Sequence, residues 1–253
     1  MAIDHHTIQT LDGRGYMVLD AVTHAGRQGQ GISASNNYVC IDGRTYWVKA
    51  TAQQGLVAEL IASRLARLAG AGPGAQIIRV PIEAAGTAPH LAGVGVGILD
   101  EPDTTNAREL APLLSGGQFD PASIDARSRA LVVAFQTWLG VADTQVLINF
   151  KDGRVRSIDH GDCFANTAAG GDPPLILVDI PGVDASVGKE RYAVEAAVRA
   201  IEGVSDRDLM EAVAQVPSGE PWRGPVARRA EIASWLAPRR DRMRTVMEGW
   251  LNS

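Results

Sequence analysis

Cysteine is nearly absent from this chain: 253 residues carry only Cys40 and Cys163. Two thiols so far apart match no zinc-ligand spacing and make no disulfide framework, which excludes two common ways of stabilising a fold without a large core. A charge excess of the basic sign is also missing. The 24 Lys and Arg against 29 Asp and Glu leave a net charge of −5, so no overall basic field favours a nucleic-acid partner. The basic residues near the end, Arg228, Arg229, Arg239, Arg240, Arg242 and Arg244, are expected as solvated helix faces. Long apolar runs are lacking too. The stretches 91–99 and 130–135 fall well short of the roughly 20 residues that span a bilayer, and no membrane partner is expected. The opening MAIDHHTIQT has no basic segment followed by an apolar one, so the expectation is a cytoplasmic protein with a loose start near His5 and His6. No internal repeat or low-complexity tract is present. What remains is an ordinary globular composition, 45% hydrophobic and 21% charged. That is enough chain to bury a core as one large domain or two lobes.

The first hundred residues read mostly as β-structure. An apolar run at Tyr16–Leu19 precedes a loop rich in Gly, Ser and Asn, HAGRQGQGISASNN. A hairpin follows, Tyr38–Ile41 and Thr45–Lys49 about Asp42-Gly43. Leu56, Leu60, Ile61, Leu65 and Leu68 recur at helical spacing within a helix predicted over Gln53–Ala69, which Gly70, Gly72, Pro73 and Gly74 end. Strands are predicted at Gln76–Val80 and Val94–Leu99, then a polar connection, DEPDTTN. The later chain reads as helical. A helix over Asp120–Leu139, started at Asp120-Pro121, puts Ile124, Leu131, Phe135 and Trp138 on one face. Tyr192–Ile201, Asp206–Val216 and about Pro225–Leu251 follow, with Ser205 as a cap. Between them lie a Gly/Ala/Pro-rich stretch, 165–174, suited to a loop over a site, and the apolar segment LILVDIPGV.

The stretch Trp138–Phe164 carries the chemistry. Asp143 precedes an apolar strand, Asp152-Gly153 supplies the positive φ of a tight hairpin turn, and a second strand ends at Asp159. The hairpin brings the two aspartates to the same end of the strands. One carboxylate to orient a hydroxyl and another to hold Mg²⁺ on phosphates is what phosphoryl transfer needs. Upstream, Lys49 ends a strand and Glu59 lies ten positions on in a helix. That spacing allows an ion pair pointing the ammonium at a nucleotide's phosphates. The Gly-rich loop before Lys49 allows backbone N–H groups to approach phosphate oxygens.

The order of Gly-rich loop, Lys49, Glu59, linker, helix, Asp143, hairpin and Asp159 follows the logic of protein kinases. The segments DGRTYWVKA, LVAELIASRLARLAGAGPG, AFQTWLGVADTQ and DGRVRSIDHGDCF resemble the HipA-like kinase family and, more remotely, phosphoinositide kinases. The resemblance spans roughly Ala25 to Phe164. It implies an α+β, bilobal protein-kinase-like fold: a small β-rich N-lobe with one helix over 1–100 and a larger helical C-lobe over 101–253. It implies an ATP- and Mg²⁺-dependent enzyme, a serine/threonine kinase with an unknown protein acceptor. In that reading Lys49 contacts the α- and β-phosphates with Glu59 as its partner, Asp143 orients or deprotonates the acceptor hydroxyl, and Asp159 ligates the metal. The loop Gly26–Ser35 covers the phosphates, with Gly29 and Gly31 in closest approach and Ser33 or Ser35 as autophosphorylation candidates. Ile98, Leu99 and Asp100, continuing to Glu101, lie near the adenine.

Two departures from the family pattern stand out. The second metal ligand, an Asn five residues after the catalytic Asp, is replaced by Ile148, whose side chain binds no cation. Gln145 or Asn149 takes the role, with Gln145 favoured because Val146–Ile148 fits the strand that follows the ligand. The Asn two residues before the catalytic Asp and the basic residue after it are replaced by Val141 and Thr144. Two other readings stay open beside a protein kinase: a small-molecule phosphotransferase of the antibiotic-modifying type, and a nucleotide-binding pseudokinase serving as a regulatory module.

Overall fold

The computed structural model describes residues 5–11, 17–28, 35–50, 55–85, 92–106, 120–141, 145–164, 189–217, 222 and 224–253. Five strands close a small barrel in the order β1-β2-β3-β5-β4: β1 (Val18–Gln28), β2 (Ser35–Cys40), β3 (Thr45–Ala50), β4 (Ala75–Val80) and β5 (Gly93–Leu99). Neighbours are antiparallel except β1 and β4, which run parallel and close the ring. Side chains alternate across a strand, so Leu19, Ala21, Tyr38, Tyr46, Val48, Ile78 and Val80 fill the barrel interior. β1 is longer than its apolar run predicts. It continues through His24 and Gly26 into the glycine-rich stretch, because His24 and Gln28 pair with Tyr38 and Asn36 on β2.

Between β3 and β4 runs α2 (Leu56–Ala69), ended by Gly70 in the left-handed conformation. Its side chains do not fill the barrel. Leu56, Leu60, Ile61 and Leu65 join the core of the helical half of the molecule. The first helix, α1 (His5–Leu11), also packs against that half, with Ile8 fully buried, so the start of the chain is docked where a loose end was expected. A short helix, α3 (Ile82–Ala85), follows β4.

The helical half is built from α4 (Ala126–Leu139), α5 (Arg191–Glu202), α6 (Asp206–Ala214) and α7 (Val226–Leu251). Against it lies a second sheet, β6 (Thr104–Asn106), β7 (Gln145–Asn149) and β8 (Val155–Ile158). The molecule is thus an α+β, bilobal arrangement. The polar connection DEPDTTN is not all linker, since its last three residues form β6 and pair with β7. The helix predicted from Asp120 begins later. Asp120 caps a 3₁₀ turn at Pro121–Ser123, and α4 starts under Asp125, whose Oδ2 accepts from the Ser128 N–H at 2.8 Å. Ser205 caps α6 in a reciprocal capping box with Asp208. The hairpin turn is wider than two residues: Asn149 N–H donates to Arg154 O, and Gly153 supplies the positive φ.

Arg229 and Arg239 correct the reading of a solvated basic face, for both are buried. Helix C-termini leave carbonyls without partners and carry partial negative charge. Arg229 Nη1 donates to the carbonyls of Val213, Ala214 and Val216 at the end of α6. Arg239 donates to Thr137 and Trp138 at the end of α4, and Arg240 to Val204 after α5. One long helix therefore caps three shorter ones. The segments 165–174 and 175–183 lie outside the described residues.

Candidate active site

Lys49 faces away from the barrel interior because Tyr46 and Val48 occupy it, and period-two alternation sends Lys49 to the other side. Its Cα pairs with Ser35 on β2 and Val96 on β5. The ammonium donates to Glu59 Oε2 at 3.0 Å and to Asp159 Oδ1. Three charges from β3, α2 and the end of β8 thus meet at one nitrogen.

Glu59 is 1% exposed, and a buried carboxylate must be satisfied on every side. It accepts from Lys49 Nζ, from Ser63 Oγ at 3.2 Å and from the His160 backbone N–H at 2.9 Å. Burial pushes its pKa up, but the His160 side chain beside it and the charge of Lys49 outweigh it and hold the carboxyl down at about 2. Burial lowers the Lys49 pKa, and the charges of Glu59 and Asp159 outweigh that, leaving it raised. Both groups are ionised near neutrality.

Asp159 closes β8 in the left-handed region, φ 57°. Among non-glycine residues aspartate is one of the few that tolerates this conformation, and a backbone held there is often tied to function. The chain can turn so tightly against α2 because Gly55, at the helix N-terminus, lies on Gly161. A Cβ on Gly55 would meet Gly161 O at 2.1 Å.

Of the two candidate second ligands, Gln145 pairs with Ile158, next to Asp159. Asn149 is four residues further along β7, roughly 13 Å at strand rise, and its Oδ1 accepts from the N–H groups of Lys151 and Asp152. Asn149 shapes the turn at the far end of the hairpin. Ile148 is fully buried. Ile98 packs with Val96 in the core that includes α2. Leu99 lies against the barrel core, and the Asp100 carboxylate accepts from Trp47 Nε1 at 3.0 Å and Asn37 Nδ2 at 2.9 Å. Glu101 pairs with Arg156 at 2.9 Å. The connection between lobes is therefore tied to the barrel on one side and the hairpin on the other. Asp143, Gly29, Gly31 and Ser33 lie outside the described residues.

No functional role was expected for His160, Ser157, Gln136 or Ser63. His160 is fully buried and its Nε2 sits 2.7 Å from Ser157 Oγ. Its place directly after Asp159 was the only available signal. Cys163 is buried, and burial together with nearby carboxylates pushes its thiol pKa well up.

Asp159 and Gln145 offer hard oxygen donors, which suit Mg²⁺ better than a softer metal. The Lys49 ammonium already occupies the Asp159 carboxylate as a cation would. Among the described residues no group of three His, Cys, Asp or Glu side chains could hold a metal ion. The donor set fits Mg²⁺, which takes one or two protein oxygens and completes its shell with phosphates and water.

No family model matches the chain, and no curated protein matches it. Solved structures do. A Helicobacter pylori proinflammatory kinase, CtkA, superposes with TM-score 0.55 at 11% identity, covering 93% of this chain and 99% of that one. The fold is kinase-like. The CtTel1 dimer (TM-score 0.48, 11% identity, 92% of this chain and 12% of that one) and the Golgi casein kinase (0.45, 9%, 97% and 74%) also match, but at these scores neither bears on the fold. The kinase-like fold puts a β-rich lobe and a helical lobe on either side of Lys49 and Asp159. No described helix is long and apolar enough to cross a membrane.

Proposed function

We propose that this protein is an ATP- and Mg²⁺-dependent kinase that transfers the γ-phosphoryl group to a serine or threonine hydroxyl of a protein. The observation that carries the reading is the meeting of Lys49, Glu59 and Asp159 around one nitrogen. In the reaction the acceptor hydroxyl attacks the γ-phosphorus, the bond to the β-phosphate oxygen breaks, and ADP leaves. Lys49, held by Glu59, points its ammonium at the α- and β-phosphates. Asp143, directly ahead of β7 in sequence, orients the attacking hydroxyl and accepts its proton. Asp159 and Gln145 hold Mg²⁺, which neutralises charge on the phosphates. Gln145 is preferred to Asn149 for its register beside Asp159 and because the Asn149 side chain serves the turn. Gly29 and Gly31 cover the phosphates, and the N-lobe and C-lobe divide near residue 100.

Incubation with ATP and Mg²⁺ followed by mass spectrometry of the protein and of cell extract tests the reading. Phosphate transfer that vanishes in Asp159→Ala and Asp143→Ala supports it. Transfer only to a small molecule favours the antibiotic-modifying type. The buried Ile148, at the family's second metal-ligand position, motivates a regulatory pseudokinase; nucleotide binding without turnover, unchanged in Asp143→Ala, favours that reading.

A further inference from the structure

Behind the ion pair runs a line of buried polar groups. Gln136 on α4 donates from Nε2 to Ser157 Oγ on β8 at 2.9 Å and to the Gln145 carbonyl on β7 at 3.1 Å. Ser157 Oγ meets His160 Nε2 at 2.7 Å. His160 Nδ1, which makes no formed hydrogen bond, lies 3.5 Å from Glu59 Oε1. Gln136, Ser157 and His160 are each fully buried. Gln136 Oε1 and His160 Nδ1 have no hydrogen-bond partner, so the direction of the protons is set by the bonds that do form. Gln136 can only donate from its amide nitrogen, so Ser157 accepts there and has its own proton to give. That proton goes to His160 Nε2. The ring then carries its remaining proton on Nδ1, aimed at Glu59, an assignment that follows from the bonding pattern.

We infer that His160 is a positioning residue that fastens Glu59 to the β7–β8 hairpin, so that α2 is fixed in the position where Glu59 meets Lys49. Its backbone N–H holds one carboxylate oxygen of Glu59 while its ring faces the other. Three features of the fold agree. The α2 side chains belong to the core of the helical half. Gly55 leaves no gap against Gly161. The same line of bonds ends on the backbone of Gln145, so one buried network sets both Glu59 and the proposed second metal ligand. In kinases whose Lys–Glu pair must be assembled for activity, movement of the glutamate helix is a control point. Here the helix is held from behind by the His160 backbone N–H on the Glu59 carboxylate.

The catalytic consequence rests on the kinase reading. The test separates the two. In a long-range proton–nitrogen correlation spectrum of the whole protein, His160 is expected to carry a proton on Nδ1. A ring protonated on Nε2 overturns the bond sequence, whether or not the protein binds nucleotide. In kinetics, His160→Phe is expected to raise the KM for ATP and lower kcat by a combined roughly 10–100-fold, the usual effect of removing a group that orients a ligand. His160→Asn, which restores a donor facing Glu59, is expected to recover most of the loss. Trp138→Phe, buried on the same helix as Gln136 but outside the network, controls for lost packing and is expected to melt earlier with both constants unchanged. Wild-type constants in His160→Phe, or no recovery in His160→Asn, overturn the inference. A wild type with the expected tautomer but no ATP binding overturns the kinase reading and, with it, the kinetic half of this one.

Discussion

At the scale of single residues, Glu59 is a charge buried because Lys49 and His160 are beside it. Removing one partner of a buried pair costs more than the pair contributes, since the other is left uncompensated. Lys49→Met is expected to destabilise the protein by about 3–5 kcal/mol, read as a shift of the urea midpoint with unchanged slope, and to abolish phosphate transfer. The pH dependence follows from the depressed Glu59 value. The unfolded carboxyl titrates near 4.5 and the folded one near 2, so the folded state binds this proton less readily. The stability it provides is complete above pH 4.5 and is lost as the pH falls towards 2. Thermal melts across that window are expected to show a steeper acid loss in the wild type than in Glu59→Gln. Equal slopes would mean that Glu59 carries no special share.

At the scale of elements, the arginines of α7 act on the ends of other helices. A cation facing helix carbonyls is favourable, and hydrogen bonds from charged donors contribute roughly 1.5–3 kcal/mol each. Arg229→Met, which unsatisfies three carbonyls after α6, is expected to cost about 2–4 kcal/mol in chemical denaturation. Arg199→Ala, whose exposed side chain sits 3.8 Å from Glu195, is expected to stay within about 0.5 kcal/mol. The start of α2 offers another test. Gly55→Ala forces a Cβ at φ 93° against the Gly161 carbonyl. It should cost at least about 1–2 kcal/mol from the left-handed backbone alone, and nucleotide affinity should fall with it because Asp159 is two residues from the displaced carbonyl.

At the scale of the whole molecule, the described residues join the two halves through α2, through the Lys49–Asp159 contact, and through residues 100–106, which pair with the barrel and the hairpin in turn. A ligand that binds between them stabilises the folded state by mass action. With ATP and Mg²⁺ at about 100 times the dissociation constant, roughly 2.7 kcal/mol of added stability is expected. Differential scanning fluorimetry should show a rise in melting temperature that needs the metal and is lost in Asp159→Ala. No rise at saturating nucleotide would contradict a nucleotide site.

Local chemistry was enough to determine most of the elements, though not α1 or β6, which form against partners distant in sequence. The spacing of Leu56, Leu60 and Leu65, the turn glycines at Gly43 and Gly153, and the cap at Ser205 act within a few residues, so they can be read along the chain. The ordered series of Lys49, Glu59 and Asp159 was legible for the same reason, each residue standing in a recognisable local setting. What brings them to a single nitrogen is the crossing of β3, α2 and β8, and that is a matter of packing between distant segments. The same holds for His160, whose backbone N–H reaches Glu59 101 positions away, and for Arg229 and Arg239. An arginine on a helix reads as exposed until the helix ends it serves are in place. Burial of a polar group depends on partners that only the folded chain supplies, and those were decided by tertiary structure alone.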